Sequence, residues 1–235
     1  MSAAAPGFFG KLPGAGDFVQ RRIPPAFLDV WDRGFSRAVV ESRDRLGARW
    51  NAFYAASPVW RFLLSPGLLG EGAWAGVLGP GCDRVGRCFP MTIGVRLPGG
   101  TAQPGVLHDG GRWFVAAERV LRTAQAERWS VDAFDAQVAA LAVPPDPDTP
   151  SIGAFPRDLD PRRRNVWLAL GETASPLPAT LWAALAPAGC ALWWTRGRLL
   201  LGAGLPGGDD YAEFLAPGAG ATDDTTERRV LEALP

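Results

Sequence analysis

The sequence predicts an α/β or α+β fold with one sheet covered by helices on both faces. Short apolar runs bounded by Gly or Pro alternate with longer amphipathic stretches, which is the pattern of strands interleaved with helices. The chain has 235 residues, of which 47% are hydrophobic and 20% are charged, enough for one soluble domain with a sizeable core. We therefore expect a single main domain, without a prediction of its strand order.

A strand, a loop, a long helix and three more strands are predicted in the N-terminal region. GFFGKL has the composition of a strand, and the Gly- and Pro-rich PGAGDFVQRRIPP predicts a loop. SPVWRFLL, AWAGVL and FPMTIGVRL predict the three later strands. A helix to about residue 50 is indicated by large apolar residues on one face, namely Phe27, Trp31, Phe35, Val39, Leu46 and Trp50.

Two helices and a second α/β portion are predicted next. A turn at LPGGTAQPG precedes the helices WFVAAERVLRTAQAER and VDAFDAQVAALA, the second with Ser130 as its N-cap. The second portion comprises a strand, NVWLAL, a short helix, PATLWAALA, a hairpin of CALWWTR and RLLLGAGL across Gly197, and a last helix, DDYAEFLAP. Trp193 and Trp194 are neighbours on one strand, so they face opposite sides, and one is a candidate for a solvent-facing partner anchor.

Composition divides the chain into four segments. Residues 1–143 are expected to form an N-terminal α/β region. Residues 144–161, PPDPDTPSIGAFPRDLDP, are too rich in proline for regular structure and predict a linker or surface loop. Residues 162–216 are expected to form a second α/β portion packed on the same domain, and residues 217–235 predict a mobile tail with, at most, a final helical turn.

Charge and cysteine content restrict the class of protein. The 24 basic residues balance the 24 acidic ones, so no overall field favours binding to nucleic acid or to an acidic membrane surface. No run of about 18 apolar residues is present, so no direct membrane insertion is expected. Three cysteines and the lack of a secretory signal predict reduced thiols in a cytoplasmic protein.

The stretch GCDRVGRC, residues 81–88, has the glycine spacing of a phosphate-binding loop but not its chemistry. Arg87 stands at the position of the phosphate-binding lysine, and Cys88, a soft ligand, stands at the position of the magnesium-binding hydroxyl. The residues that follow predict a strand, whereas a phosphate site needs the N-terminus of a helix. We therefore expect neither a nucleotide nor another cofactor.

Residues for catalysis or metal binding are scarce in the sequence. His108 is the single histidine, and the spacing of Cys82 and Cys88 differs from that of zinc ligands. A hydrolase built from Cys88, His108 and Asp109 is a remote alternative, because adjacent His and Asp residues are poorly placed to act as base and orienting group. We predict no catalytic residue and no metal-binding residue.

Three motifs in the first half of the chain resemble the TagF family of type VI secretion system-associated proteins. They are GFFGKLPGAGDFVQRRIP, PVWRFLLSPG and GPGCDRVGRCFPMT, in the order of the family signature. The later CALWWTRG and AGLPGGDDYAEFL resemble the family's downstream elements. The resemblance covers most of the chain, is firmest over residues 7–97 and is looser beyond residue 145. It identifies GCDRVGRC as a signature turn rather than a phosphate-binding loop.

The resemblance implies a fold, a function and a partner. The family fold is a layered α/β/α sandwich, so we expect a mixed sheet covered by helices. TagF-like proteins are not known as enzymes; they are cytoplasmic, post-translational repressors of type VI secretion that act through the forkhead-associated scaffold protein of the apparatus. The alternative is a small-ligand or phosphopeptide-binding module that uses Arg84 and Arg87. The oligomeric state is left open.

Two signature loops contain the candidate site. Asp83, Arg84 and Arg87 flank Gly86 in one turn, where an aspartate and two arginines can form an ionic cluster. The other Gly-rich loop can meet this turn at one edge of the sheet. Three roles are open for these residues: bracing the loops from inside, contacting a protein partner, or binding a small ligand. The glycines are expected at these positions for turn geometry. The candidates are Lys11, Gly14, Gly16, Asp17, Phe18, Asp83, Arg84, Gly86, Arg87 and Phe89.

Overall fold

The structure, a computed structural model, describes residues 5–97, 106–107, 111–143, 165–170, 189–219 and 226–231. The proline-rich segment at residues 144–161 and the predicted short helix at residues 178–186 lie outside the described residues, and so do His108 and Asp109. The division of the chain into four segments stays a prediction.

One sheet runs through both portions of the described chain. Its strands occur in the order β2-β1-β5-β4-β3-β7-β8-β6-β9, and neighbours are antiparallel except β6 and β9, which are parallel. The predicted α/β class is confirmed, and β7 and β8 form the predicted hairpin across Gly197. The strands are β1 (Gly7–Lys11), β2 (Phe18–Arg21), β3 (Trp60–Leu64), β4 (Trp74–Gly79), β5 (Met91–Arg96), β6 (Asn165–Leu170), β7 (Ala191–Thr195), β8 (Arg198–Gly202) and β9 (Thr226–Leu231).

Five α-helices are found among the described residues: α1 (Pro25–Leu46), α2 (Trp50–Ala56), α3 (Arg112–Glu127), α4 (Val131–Ala139) and α5 (Gly208–Leu215). The prediction of one helix to about residue 50 is wrong at its end, because α1 stops at Leu46 and a 3-10 turn leads into α2. Gly47 ends α1 with a φ of 55°. The predicted N-cap of α4 is confirmed, since the Ala133 N–H donates to Ser130 Oγ at 3.2 Å. None of the helices described is long and apolar enough to cross a membrane.

Two strands lie where the sequence analysis predicted none. Thr226–Leu231 form β9, so the prediction of a mobile tail with a helical turn is wrong for these residues. β9 pairs along β6, from Asn165 opposite Thr226 onwards, and satisfies backbone groups of β6 that would otherwise form an open sheet edge. At the other edge of the sheet, β2 lies within the segment predicted as a loop.

Alternate residues of the strands pack into two cores on opposite faces of the sheet. One core contains side chains of α3 and α4, and the other contains side chains of α1, α2 and α5. Trp194 contacts Phe114 of α3 at a ring separation of 4.9 Å, and Trp193 contacts Phe35 of α1 at 6.0 Å. The two tryptophans therefore face opposite sides as predicted, but neither faces solvent, because helices cover both.

Candidate functional site

Two loops meet at one end of the sheet, close to its β2 edge. The β1–β2 loop comprises residues 12–17, and the β4–β5 loop comprises residues 80–90. The Arg84 N–H donates to the Ala15 carbonyl at 2.8 Å and so joins the two loops. They are adjacent because β1 and β5 are neighbours in the sheet.

Asp83 is the centre of a charged cluster between the loops. Its side chain is fully buried, and Oδ2 accepts hydrogen bonds from Lys11 Nζ at 2.9 Å and from Arg87 Nε at 2.7 Å. Oδ1 accepts from the backbone N–H groups of Val85 at 3.1 Å and Arg87 at 2.9 Å. Arg87 also donates through Nη2 to the Gly16 carbonyl at 2.7 Å. The cluster therefore braces both loops from inside.

The surroundings of Asp83 favour its ionised form. Burial alone would raise the pKa of the Asp83 carboxyl, but the hydrogen bonds from Lys11 and from the backbone and side chain of Arg87 outweigh that effect. Together they hold the pKa of Asp83 far below its ordinary value. Two cationic side chains therefore share one carboxylate, and the cluster has one excess positive charge.

An aromatic group lies beside the cluster. Lys11 Nζ is 4.9 Å from the centre of the Phe18 ring, within the range of a cation–π contact. Phe18 stacks on Phe9 with ring centres 5.4 Å apart and meets Phe89 edge to face at 4.9 Å. Phe89 is buried, whereas Phe18 is 43% exposed. Of these rings, Phe18 is the one that reaches the surface of the site.

The loop glycines serve backbone geometry, and Asp17 stands apart from the cluster. Gly86 has a φ of 86°, which residues with a side chain rarely adopt. A Cβ at Gly14 would lie 2.1 Å from the Trp129 carbonyl oxygen, so the β1–β2 loop approaches the connection between α3 and α4 this closely only with glycine at this position. Asp17 is exposed, and its carboxylate accepts from the Phe18 N–H at 2.8 Å.

The exposed face at the two loops comprises four side chains: Phe18, the first residue of β2, and Arg84, Val85 and Arg87 of the β4–β5 loop. We call this face the loop surface. Val85 is 70% exposed, although it is apolar. In the described part of the chain, the Arg84 guanidinium has no hydrogen bond or ion pair, whereas Arg87 is held by Asp83. The loop surface therefore combines two exposed apolar side chains, Phe18 and Val85, with the Arg84 guanidinium, which has no partner among the described residues. The two loops are held in place by Asp83.

The base of the β4–β5 loop is closed by contacts that the sequence analysis did not predict. A disulfide joins Cys82 to Cys88, so the prediction of reduced thiols is wrong for this pair. Cys88 therefore has no thiol for the alternative hydrolase. The Tyr54 hydroxyl donates to the Gly81 carbonyl and accepts from the Gly81 N–H, both at 2.9 Å. These contacts hold the start of the loop against α2.

The chemistry of the site is ion pairing and hydrogen bonding. Both carboxylate oxygens of Asp83 already accept from N–H donors. Across the described ranges, no group of three or more His, Cys, Asp or Glu side chains could hold a metal ion. What the loops offer to another molecule is the loop surface itself.

Comparison with known proteins identifies the family. Residues 7–141 match the family model of the TagF N-terminal domain, described as type VI secretion system-associated. The chain belongs to the TagF family. The matched region contains both loops of the site. The chain is also similar to the crystal structure of PA0076 from Pseudomonas aeruginosa PAO1, with a TM-score of 0.71 and 34% identity, over 98% of this chain and 100% of that chain. No curated protein matches the chain.

The two comparisons differ in the part of the chain that they cover. The TagF N-terminal domain ends at residue 141, before β6 begins. The likeness to PA0076 extends over almost the whole chain. The second portion, with β6 to β9 and α5, therefore has a counterpart in PA0076 even though it lies beyond the matched TagF domain.

Proposed function

We propose that this TagF-family chain is a non-enzymatic, cytoplasmic regulator that represses type VI secretion after the components of the apparatus are made. It does so by binding the forkhead-associated scaffold protein. Membership of a type VI secretion-associated family supports the system in which the chain acts. The single observation that carries a binding role is the loop surface, with its outward-facing cation and apolar side chains above a braced cluster.

The loop surface is the proposed contact with the scaffold protein. Arg84, Val85 and Phe18 combine a cation with exposed apolar area, and arginine and aromatic side chains often dominate the binding energy of interfaces. The hydrogen bonds of Asp83 fix the loops before binding, which lowers the entropy cost of association. The proposed mechanism is occlusion, in which the bound chain covers scaffold surface that assembly requires.

A phosphopeptide or small-ligand site at Arg84 and Arg87 is the second candidate. A bidentate grip on a phosphate needs N–H groups of the guanidinium fork that are not already donated elsewhere. Arg87 Nε and Nη2 donate to Asp83 and Gly16, whereas the Arg84 guanidinium donates to no group in the described part of the chain. We therefore favour a protein partner for this surface.

We also infer that the whole chain is a single layered α/β/α sandwich with a mixed sheet. The two cores on opposite faces of the sheet support three layers. The parallel pairing of β6 with β9, among antiparallel neighbours, supports a mixed sheet.

A secretion assay tests the proposed function. We expect that overproduction of the chain in the bacterium that encodes it lowers the amount of a type VI substrate in the culture medium. The double substitution Arg84→Glu/Val85→Asp reverses the charge of the loop surface and places a carboxylate on its exposed apolar residue. We expect it to abolish repression. Substrate in the medium and protein level in the cells are measured by immunoblotting.

The matched control is Val115→Asp/Arg119→Glu in the N-terminal half of α3. Val115 is 54% exposed and Arg119 is also exposed, so the control makes the same chemical changes at another surface. We expect the control to repress as the wild type does. Full repression by the Arg84→Glu/Val85→Asp variant would contradict the role of the loop surface, and unchanged secretion on overproduction of the wild type would contradict repression itself.

A further inference from the structure

A cleft of about 410 Å³ lies between α1 and two connections of the sheet. Helix α1 forms one wall. Leu68 and Leu69, from the β3–β4 connection, and Leu205 and Pro206, from the β8–α5 connection, form the others. A concave site of this size can accept a bulky side chain or a short segment of another molecule.

The interior of the cleft is mainly apolar. Two of its apolar lining residues are buried, Leu69 at 3% exposure and Ala38 of α1 at 1% exposure. Leu205 Cδ1 is only 2.7 Å from the position that a Cβ at Gly34 would occupy. The lack of a side chain at Gly34 therefore lets the β8–α5 connection approach α1 and shape the cleft.

Two arginines of α1 also line the cleft. Arg33 and Arg37 are one helical turn apart, so they lie on the same face of α1, and both are exposed. In the described part of the chain, neither guanidinium has a hydrogen bond or an ion pair. Among the described residues, Asp29 and Glu41, one turn away on α1, form no ion pair with these arginines, and Glu41 accepts a hydrogen bond from the Gly208 N–H at 3.0 Å. An apolar cleft with two cations that lack partners is complementary to a ligand that is both apolar and acidic.

The cleft is distant from the loop surface. The connection that carries Leu68 and Leu69 enters β4 at Trp74, and the β4–β5 loop leaves the same strand at Gly79. A strand of 6 residues spans roughly 20 Å. The two surfaces thus lie at opposite ends of β4, and one short segment cannot occupy both.

We propose that this cleft binds an acidic segment of a partner protein. An apolar side chain of that segment enters the cleft beside Leu205 and Leu69. Acidic side chains on either side of it pair with Arg33 and Arg37, whose planar forks suit carboxylates. The apolar interior selects the inserted side chain and the arginines select the charge. The proposal is independent of scaffold binding at the loop surface.

Selection of random phage-displayed peptides on the immobilised full chain tests this proposal. We expect the enriched peptides to carry Asp or Glu on both sides of a Leu, Ile or Phe. One enriched peptide is then synthesised with a fluorescent label, and its affinity is measured by fluorescence polarisation. We expect Arg33→Gln/Arg37→Gln to weaken binding by at least about tenfold, and added salt to weaken binding to the wild type.

Two further variants separate the cleft from general effects of charge and folding. Arg119→Gln/Arg122→Gln removes the same charge from exposed residues of α3 and is expected to bind as the wild type does. Gly204 lines the cleft and a Cβ there meets no heavy atom within 4 Å, so Gly204→Leu is expected to occupy part of the cleft and to weaken binding at an unchanged Tm.

Three results would overturn the proposal. The first is the enrichment of no peptide with the acidic and apolar pattern. The second is equal affinity of the enriched peptide for the wild type and for Arg33→Gln/Arg37→Gln. The third is equal loss of affinity in the α3 variant, which would indicate a general charge effect. None of these outcomes bears on the scaffold contact, because that is tested with variants of the loop surface.

Discussion

Asp83 and Asp210 are both buried acids, and their surroundings shift their pKa values in opposite directions. For both, burial favours the neutral acid. Asp83 accepts hydrogen bonds from two cationic side chains, which outweigh burial and lower its pKa. Asp210 accepts from neutral donors, including Asn165 at 2.6 Å and Trp167 at 3.2 Å, so burial prevails and its pKa is raised. The charge of the donors decides the direction.

The substitution Asp83→Asn is expected to destabilise the chain in a way that depends on pH. Because the folded-state pKa of Asp83 is lowered, its ionised form contributes stability above the unfolded-state pKa of about 4, and this contribution is lost as the pH falls toward the folded-state value. The Tm of Asp83→Asn should therefore lie below that of the wild type at neutral pH. The difference should narrow below about pH 4. Differential scanning calorimetry from neutral to acidic pH measures the Tm of the wild type and of Asp83→Asn.

The control for this prediction is Asp17→Asn, which removes a negative charge from an exposed residue of the adjacent loop. The Tm of Asp17→Asn should stay close to that of the wild type because, among the described residues, the Asp17 carboxylate accepts a hydrogen bond only from the Phe18 N–H. If the Tm difference between the wild type and Asp83→Asn stays constant down to the most acidic pH, ion pairing of Asp83 does not stabilise the loops.

Local spacing predicted only part of the charged cluster. Asp83 and Arg87 lie four positions apart in one turn, so their ion pair follows from the sequence. Lys11 is 72 positions from Asp83, and its contribution depended on the two loops meeting, which the paired signature motifs suggested. The exposure of Val85 could not be predicted, because valine is usually buried and its place at the tip of the turn depends on how the loop folds.

At the level of elements, Asp210 ties helix α5 to strand β6. Asp210 lies in the first turn of α5, and its two hydrogen-bond donors, Asn165 and Trp167, lie on β6. The tie joins parts of the chain more than 40 positions apart. It also buries a carboxyl group whose ionisation is unfavourable there.

The substitution Asp210→Asn is expected to gain stability relative to the wild type as the pH rises. The raised folded-state pKa means that protonated Asp210 stabilises the folded state at low pH, and this stability is lost as the pH rises above the unfolded-state value of about 4. Asparagine does not titrate, so the Tm of Asp210→Asn minus that of the wild type should increase from pH 4 toward neutral pH. Thermal melts followed by circular dichroism across this range provide the values.

The neighbouring substitution Asp209→Asn serves as the comparison. Asp209 is in the same helical turn, but its side chain is 52% exposed and pairs with Arg45. The Tm of Asp209→Asn relative to the wild type should change less over the same pH range than that of Asp210→Asn, because the charge of Asp209 is only a minor cause of the raised pKa of Asp210. A Tm difference for Asp210→Asn that falls as the pH rises would contradict the raised pKa of Asp210.

Elements with a strong local pattern were predicted from the sequence, and those defined by distant pairing were not. The apolar face of α1 and the hairpin across Gly197 have signals within their own residues. β2 has only four residues and follows a Gly-rich loop, so its pattern was too short to recognise. β9 exists through its pairing with β6, which precedes it by about 60 positions. The spacing of Cys82 and Cys88 across a turn was a signal for the disulfide. The expectation of a reducing compartment argued against a disulfide and outweighed that signal.

At the scale of the molecule, one sheet positions two separate surfaces at its two ends. The loop surface lies beyond the C-terminal end of β4, and the cleft lies beyond its N-terminal end. Helices pack against both faces of the described sheet, so the faces of the strands themselves are not available for contact with other proteins. Because the surfaces are separate, the proposed scaffold contact and the proposed acidic segment would not compete directly.

Scaffold binding at the loop surface is tested by the affinity of the chain for the forkhead-associated scaffold protein, measured by isothermal titration calorimetry at defined salt. We predict that the wild type and Val115→Asp/Arg119→Glu bind the scaffold protein with similar Kd values. We also predict that Arg84→Glu/Val85→Asp raises the Kd by at least about tenfold with an unchanged Tm. Equal affinity of all three proteins, or no binding of the wild type, would contradict the claim that the loop surface holds the scaffold protein.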